Sequence, residues 1–217
     1  MLNYEVFENV KNTNKQILVV TKYWEREKTL KILQECEKKF PEIFFWVWEN
    51  RIEHLREKNL PREKTHFIGN IQSQKIPDIV KYCSVIHSLW SLKHARKIEN
   101  QWFSVLACIQ IRLDDNKNIG IRESALWEFL EACKDFKHLK IIWVSGMWTW
   151  DFSEDIKREE FQKLIFLRDT YLPTWMISAG TSRDYTIALQ EWIDIVRIWD
   201  KALSSAHRKV EKQKDQK

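Results

Sequence analysis

Eight short runs of apolar, largely β-branched residues recur along this chain, at 16–21, 43–47, 65–68, 84–87, 103–112, 140–144, 174–178 and 194–197. They are continuous rather than alternating, the pattern of parallel strands covered on both faces. Longer amphipathic segments separate them, at 25–40, 51–58, 77–83, 91–99, 122–135, 157–170 and 185–191. A polar segment from Lys201 is a candidate last helix. Eight such units predict an α/β fold, a (β/α)8 TIM barrel forming one domain over 1–203, with a polar basic tail at 204–217. The alternative is an open doubly wound sheet, which the lack of a glycine-rich dinucleotide turn disfavours. At 217 residues the chain is near the lower size limit of the barrel but long enough for a full core. Only 15 residues precede the first run, leaving little chain to cover the lower end of the barrel.

No apolar run approaches the ~20 residues of a membrane span, and the N-terminus lacks the apolar stretch of a signal peptide. With 44% hydrophobic and 31% charged residues, the composition predicts a soluble protein. Cys36, Cys83, Cys108 and Cys133 are far apart and form no CxxC, so buried free thiols in a reducing cytoplasm are expected. The formal charge is +5, but the last 17 residues supply +4 of it. A basic tail of this kind is ordinarily solvated, and neither nucleic acid nor membrane is an expected partner.

In a TIM barrel, function gathers at the C-terminal strand ends. The residues there are Lys22 after the first strand, Glu49-Asn50-Arg51 after the second, and His66 to Lys75 across the third. His87-Ser88 ends the fourth, Arg112 the fifth, Ser178-Ala179-Gly180-Thr181-Ser182 the seventh and Arg197 the eighth. A lysine ending a buried strand either snorkels to water or has its amine desolvated and its pKa lowered. A neutral amine can form a Schiff base with an aldehyde. The small, hydroxyl-rich segment 178–182 opens a helix, where backbone N–H groups and hydroxyls make an anion nest. An aldehyde that carries a phosphate would satisfy both features, and pyridoxal 5′-phosphate (PLP) is such a molecule.

The same segments resemble the pyridoxal phosphate homeostasis proteins, single-domain relatives of the alanine racemase N-terminal barrel. The matching pieces are Val20-Thr21-Lys22, Glu49-Asn50-Arg51, His66-Phe67-Ile68-Gly69 with Gln72-Ser73-Gln74-Lys75, Ile86-His87-Ser88, 178–184 and Val196-Arg197-Ile198. They follow the family order from about residue 16 to 203. The resemblance implies that Lys22 holds PLP as a Schiff base and that Asn50 lies beside the ring. Ser178, Gly180, Ser182 and the backbone at Trp199 would take the phosphate, and Arg197 would face the pyridine nitrogen. An arginine there leaves that nitrogen unprotonated and weakens the ring as an electron sink, which suits a carrier better than a carbanion-forming enzyme. The implied role is PLP homeostasis without robust catalysis, with PLP-dependent apo-enzymes as recipients and a monomer or weak dimer as the assembly.

Several family glycines are tryptophan here. Gly-Glu-Asn reads Trp48-Glu49-Asn50, and Arg-Ile-Gly-Thr reads Arg197-Ile198-Trp199-Asp200. Trp192 stands where the family turns on glycine, and Trp143, Trp148 and Trp150 crowd the stretch around Gly146. Glycine is 4 of 217 where ordinary usage gives about 15. Tryptophan is 12, and the sum, 16, is close to a normal glycine count. Three readings compete: a tryptophan-rich core, a degenerate homologue whose site is filled by indole, and a coding substitution. Some bacterial lineages read UGA as glycine, and rendering that codon as tryptophan produces the third. It is the favoured one, because tight turns and phosphate loops are poor places for indole.

The remaining candidates are weaker. His66 and His87 end strands and read as a metal pair, an acid/base couple or, preferably, a hydrogen-bonding scaffold. Arg112 suits a substrate carboxylate or a rim ion pair. Asp114-Asp115-Asn116 lacks the glycine and terminal glutamate of a calcium loop. A racemase-like enzyme is the rival to a carrier, against which the chain ends soon after the barrel. A cofactor-free interaction protein is the third class.

Overall fold

The computed structural model describes residues 2–22, 24–113, 119–146 and 153–203. The predicted tail, the Asp114–Asp115–Asn116 segment, Trp148 and Trp150 lie outside them. The strands are β1 (Gln16–Val20), β2 (Phe44–Glu49), β3 (Thr65–Phe67), β4 (Val85–Leu89), β5 (Val105–Ile111), β6 (Leu139–Gly146), β7 (Met176–Thr181) and β8 (Ile195–Ile198). Each pairs in parallel with its sequence neighbours, and β1 with β8 closes the barrel. The predicted TIM barrel is the observed fold.

Helices α2 (Arg26–Lys39), α3 (Ile52–Lys58), α4 (Ile76–Tyr82), α5 (Leu92–Glu99), α6 (Glu123–Cys133), α7 (Glu154–Tyr171) and α8 (Tyr185–Gln190) connect successive strands. α2 shows why such segments become an outer layer. Thr29, Ile32, Leu33 and Cys36 are buried, at the i, i+3, i+4, i+7 spacing that makes one helical face. After β8 the described chain makes only a 3-10 turn, Asp200–Ala202, in place of the start of the predicted last helix.

One helix departs from the sequence expectation. α1 (Tyr4–Lys11) precedes β1 and buries Val6, Phe7 and Val10, with Phe7 stacked 5.0 Å from Phe40 at the end of α2. It packs against β1 and the final turn, so the start of the chain covers the β1–β8 seam. The four cysteines are buried free thiols, and burial pushes Cys83 up to about 12. Among the described residues, no helix is long and apolar enough to cross a membrane.

Candidate functional site

Alternation along each strand sorts side chains between the helical layer and the barrel interior. On β1, Ile17 and Val19 pack in the outer apolar cluster, whereas Leu18 and Val20 are buried apart from it. Lys22 continues the inward series at the C-terminal mouth. On β8, Val196 and Ile198 face the helices, leaving Arg197 and Trp199 to point inward. β2 contributes Trp48 and Asn50 by the same register. Contacts between non-neighbouring strands confirm the interior: His66 on β3 and His87 on β4 lie 6.4 and 6.1 Å from the ring of Trp143 on β6.

The mouth therefore gathers Lys22, Asn50, Arg197 and the end of β7. The Lys22 amine lies 4.0 Å from the centroid of the Trp199 ring. Burial lowers its pKa, and the Asp200 carboxylate partly opposes this. A larger share of this amine is thus neutral, and nucleophilic, than of an exposed lysine. Arg197 is buried, donates from Nη2 to Gly146 O at 2.8 Å, and has its guanidinium carbon 5.7 Å from the Trp48 ring centroid. Desolvation pushes it down to about 10, with Asp184 and Cys108 opposing, so it remains a cation at neutral pH.

Ser178 is fully buried and its hydroxyl has no hydrogen-bond partner. Asn50 Oδ1 and Arg197 Nε are buried and unpartnered as well. Buried polar atoms left unsatisfied cost about 1–3 kcal/mol each. Gly180 has φ +78°, and a Cβ there would come within 2.6 Å of Ala188 on α8. That close approach holds the β7 end against α8. Ser182 Oγ accepts the Trp199 backbone N–H at 2.9 Å, tying the ends of β7 and β8 together. The Asp184 carboxylate takes both the N–H and the hydroxyl of Thr181.

Other predicted residues go elsewhere. The Glu49 side chain is turned away from the mouth. It accepts from the Thr21 hydroxyl at 2.5 Å and from Lys58 of α3, whose ammonium also donates to Thr21 O at 2.6 Å. Lys58 was not singled out in the sequence, although it extends the buried stripe Ile52, Leu55 by three residues. His66 Nδ1 and His87 Nε2 are hydrogen-bonded at 2.8 Å, the scaffold arrangement. Among the described residues, no group of three or more His, Cys, Asp or Glu could hold a metal. Arg112 Nη2 reaches Gly120 O at 3.4 Å, within its own loop.

The polar frame fits PLP: a desolvated amine for an aldehyde, a buried serine on β7 for the expected phosphate end, and a cation on β8, the strand next to β1. The indole of Trp199 lies against the Lys22 amine and that of Trp48 beside the Arg197 guanidinium, and these two do not fit it.

No family profile matches the chain. A pyridoxal phosphate homeostasis protein of Vibrio alginolyticus is 26% identical over 194 residues, covering 84% of this chain and 83% of that protein. The solved structure of PipY from Synechococcus elongatus with PLP bound superposes with a TM-score of 0.75 at 18% identity, over 93% of this chain and all of that one. Alanine racemase of Clostridium difficile superposes at 0.71 with 13% identity, over 91% of this chain and 54% of the racemase. In sequence over most of its length this chain resembles the pyridoxal phosphate homeostasis proteins, and over nearly all of it its barrel has the fold of PipY.

Proposed function

We propose that this protein binds PLP at the barrel mouth and acts as a carrier in PLP homeostasis. The observation that carries the reading is the desolvated Lys22 amine at the end of β1, beside a strand that carries the buried Arg197 cation, with the unpartnered Ser178 hydroxyl on the next strand, β7. The name of the Vibrio relative and the cofactor held by PipY support it. When bound, PLP supplies an aldehyde electrophile. Lys22 would hold that aldehyde, Ser178, Gly180, Ser182 and the Trp199 backbone N–H the phosphate, Asn50 one side of the ring, and Arg197 the ring nitrogen.

Arg197 argues against strong catalysis. A guanidinium donates a hydrogen bond but keeps its proton, so it leaves the ring nitrogen unprotonated and weakens the electron sink that carbanion chemistry exploits. The racemase-like barrel supports the enzyme reading by fold alone.

Borohydride reduction after incubation with PLP tests the proposal. The expected result is covalent label on residue 22, absent in Lys22→Ala, with no racemisation of L-alanine. Absence of label on residue 22, both in this chain and in Trp48→Gly/Trp199→Gly, would overturn it.

A further inference from the structure

α8 ends in a paired-hydrogen-bond turn. Ile193 N–H donates to Ala188 O at 3.0 Å and Trp192 N–H to Leu189 O at 3.2 Å. This pairing requires a left-handed residue just after the helix cap, a place usually filled by glycine. Trp192 fills it with φ +62°. The other described non-glycine residues at positive φ are Asn14 and Asn59, a type that tolerates the conformation. Packing offers little compensation, because Trp192 is 73% exposed, with the Lys15 ammonium 5.7 Å from its ring centroid.

The mouth gives a second, independent observation. Trp199 lies under the Lys22 amine and Trp48 beside the Arg197 guanidinium, the two groups that would bracket a bound ring. Trp48 Nε1 is buried without a hydrogen-bond partner, unlike a well-chosen core tryptophan. Elsewhere Trp102 is 94% exposed, again no core residue.

We infer that positions 48, 192 and 199 are glycine in the protein its own cell makes, UGA codons decoded there as glycine having been rendered as tryptophan, and that the indoles at 48 and 199 occupy the space of the proposed cofactor. The second half rests on the PLP reading; the first does not. Glycine at 48 uncovers the face of Arg197. Glycine at 199 uncovers Lys22 and lets the backbone amide approach a phosphate closely.

Two experiments on the full chain separate the halves. Trp192→Gly should raise the thermal midpoint, since it relieves a left-handed tryptophan away from the mouth; an unchanged or lower midpoint overturns the glycine assignment at that turn. Trp48→Gly/Trp199→Gly should bind PLP about tenfold or more tighter by absorbance titration, with circular dichroism showing the barrel intact. Equal binding by both chains, with label on Lys22, overturns the plug and leaves the carrier reading standing. Binding by neither overturns the plug and the cofactor reading together, while the Trp192→Gly midpoint still decides the glycine assignment. Codons at the twelve tryptophan positions give the direct check: UGA at 48, 192 and 199 supports the inference and UGG there overturns it.

Discussion

His66 and His87 show how burial fixes a protonation state. Desolvation holds His66 well below its ordinary value, with His87 adding to it. Desolvation pushes His87 down to about 3, with the Arg197 charge adding to it. Folded, the pair is neutral near pH 7 and shares a proton across one hydrogen bond; unfolded, each ring takes up a proton below about pH 6.5. Between those limits the unfolded chain binds more protons, so stability falls as pH falls from about 6.5 toward 3. Each histidine contributes up to about 1.4 kcal/mol per pH unit. The urea midpoint should therefore drop between pH 7 and 5, and His87→Gln should make the drop shallower; an identical slope in the variant contradicts the assignment. Lys22 and Arg197 were legible in the sequence because each stands at the C-terminal end of an apolar run, where a barrel gathers its functional residues. The histidine contact was not, because residues 21 apart meet only through the β3–β4 register that sets His66 against Val85.

Between elements, α3 fastens the ends of β1 and β2. Lys58 joins Glu49 to the Thr21 carbonyl, one residue before Lys22, so the ion pair holds the peptide that presents the amine. Burial lowers the Lys58 pKa and the Glu49 charge counters it. Removing one partner from a buried pair strands the other, so Lys58→Met alone should cost roughly 3–5 kcal/mol. Lys58→Met combined with Glu49→Met should recover most of that, because no unpaired charge remains. Chemical denaturation of the four members of the cycle measures it, and a single-variant loss under about 1 kcal/mol would show that the pair is not holding the strand ends. The strands themselves were legible because two-sided burial leaves continuous apolar runs. The polar block Glu49-Asn50-Arg51 does not by itself reveal which residue the pleat turns outward; in the structure Trp48 and Asn50 take the interior and Glu49 the helix side, where it meets Lys58. α1 is not legible in the sequence because eight residues are too few to display a helical period clearly.

At the scale of the whole molecule, closure depends on the two ends of the described chain meeting. Leu2 bridges Leu203, Asn3 N–H donates to Ala202 O at 2.9 Å, and β1 pairs with β8 beneath them. α1 lies over this seam with Phe7 fully buried. A barrel has no free sheet edge, so loosening the β1–β8 seam exposes two strands at once, and α1 should melt with the barrel rather than before it. Phe7→Ala removes a buried aromatic and should cost about 3–5 kcal/mol. If α1 belongs to the cooperative unit, the urea midpoint falls while the slope of the transition stays unchanged. If it frays independently, the midpoint holds and only amide exchange within Tyr4–Lys11 quickens. The second result would mean that β1 and β8 close the barrel by strand pairing alone, with the N-terminal helix merely resting on it.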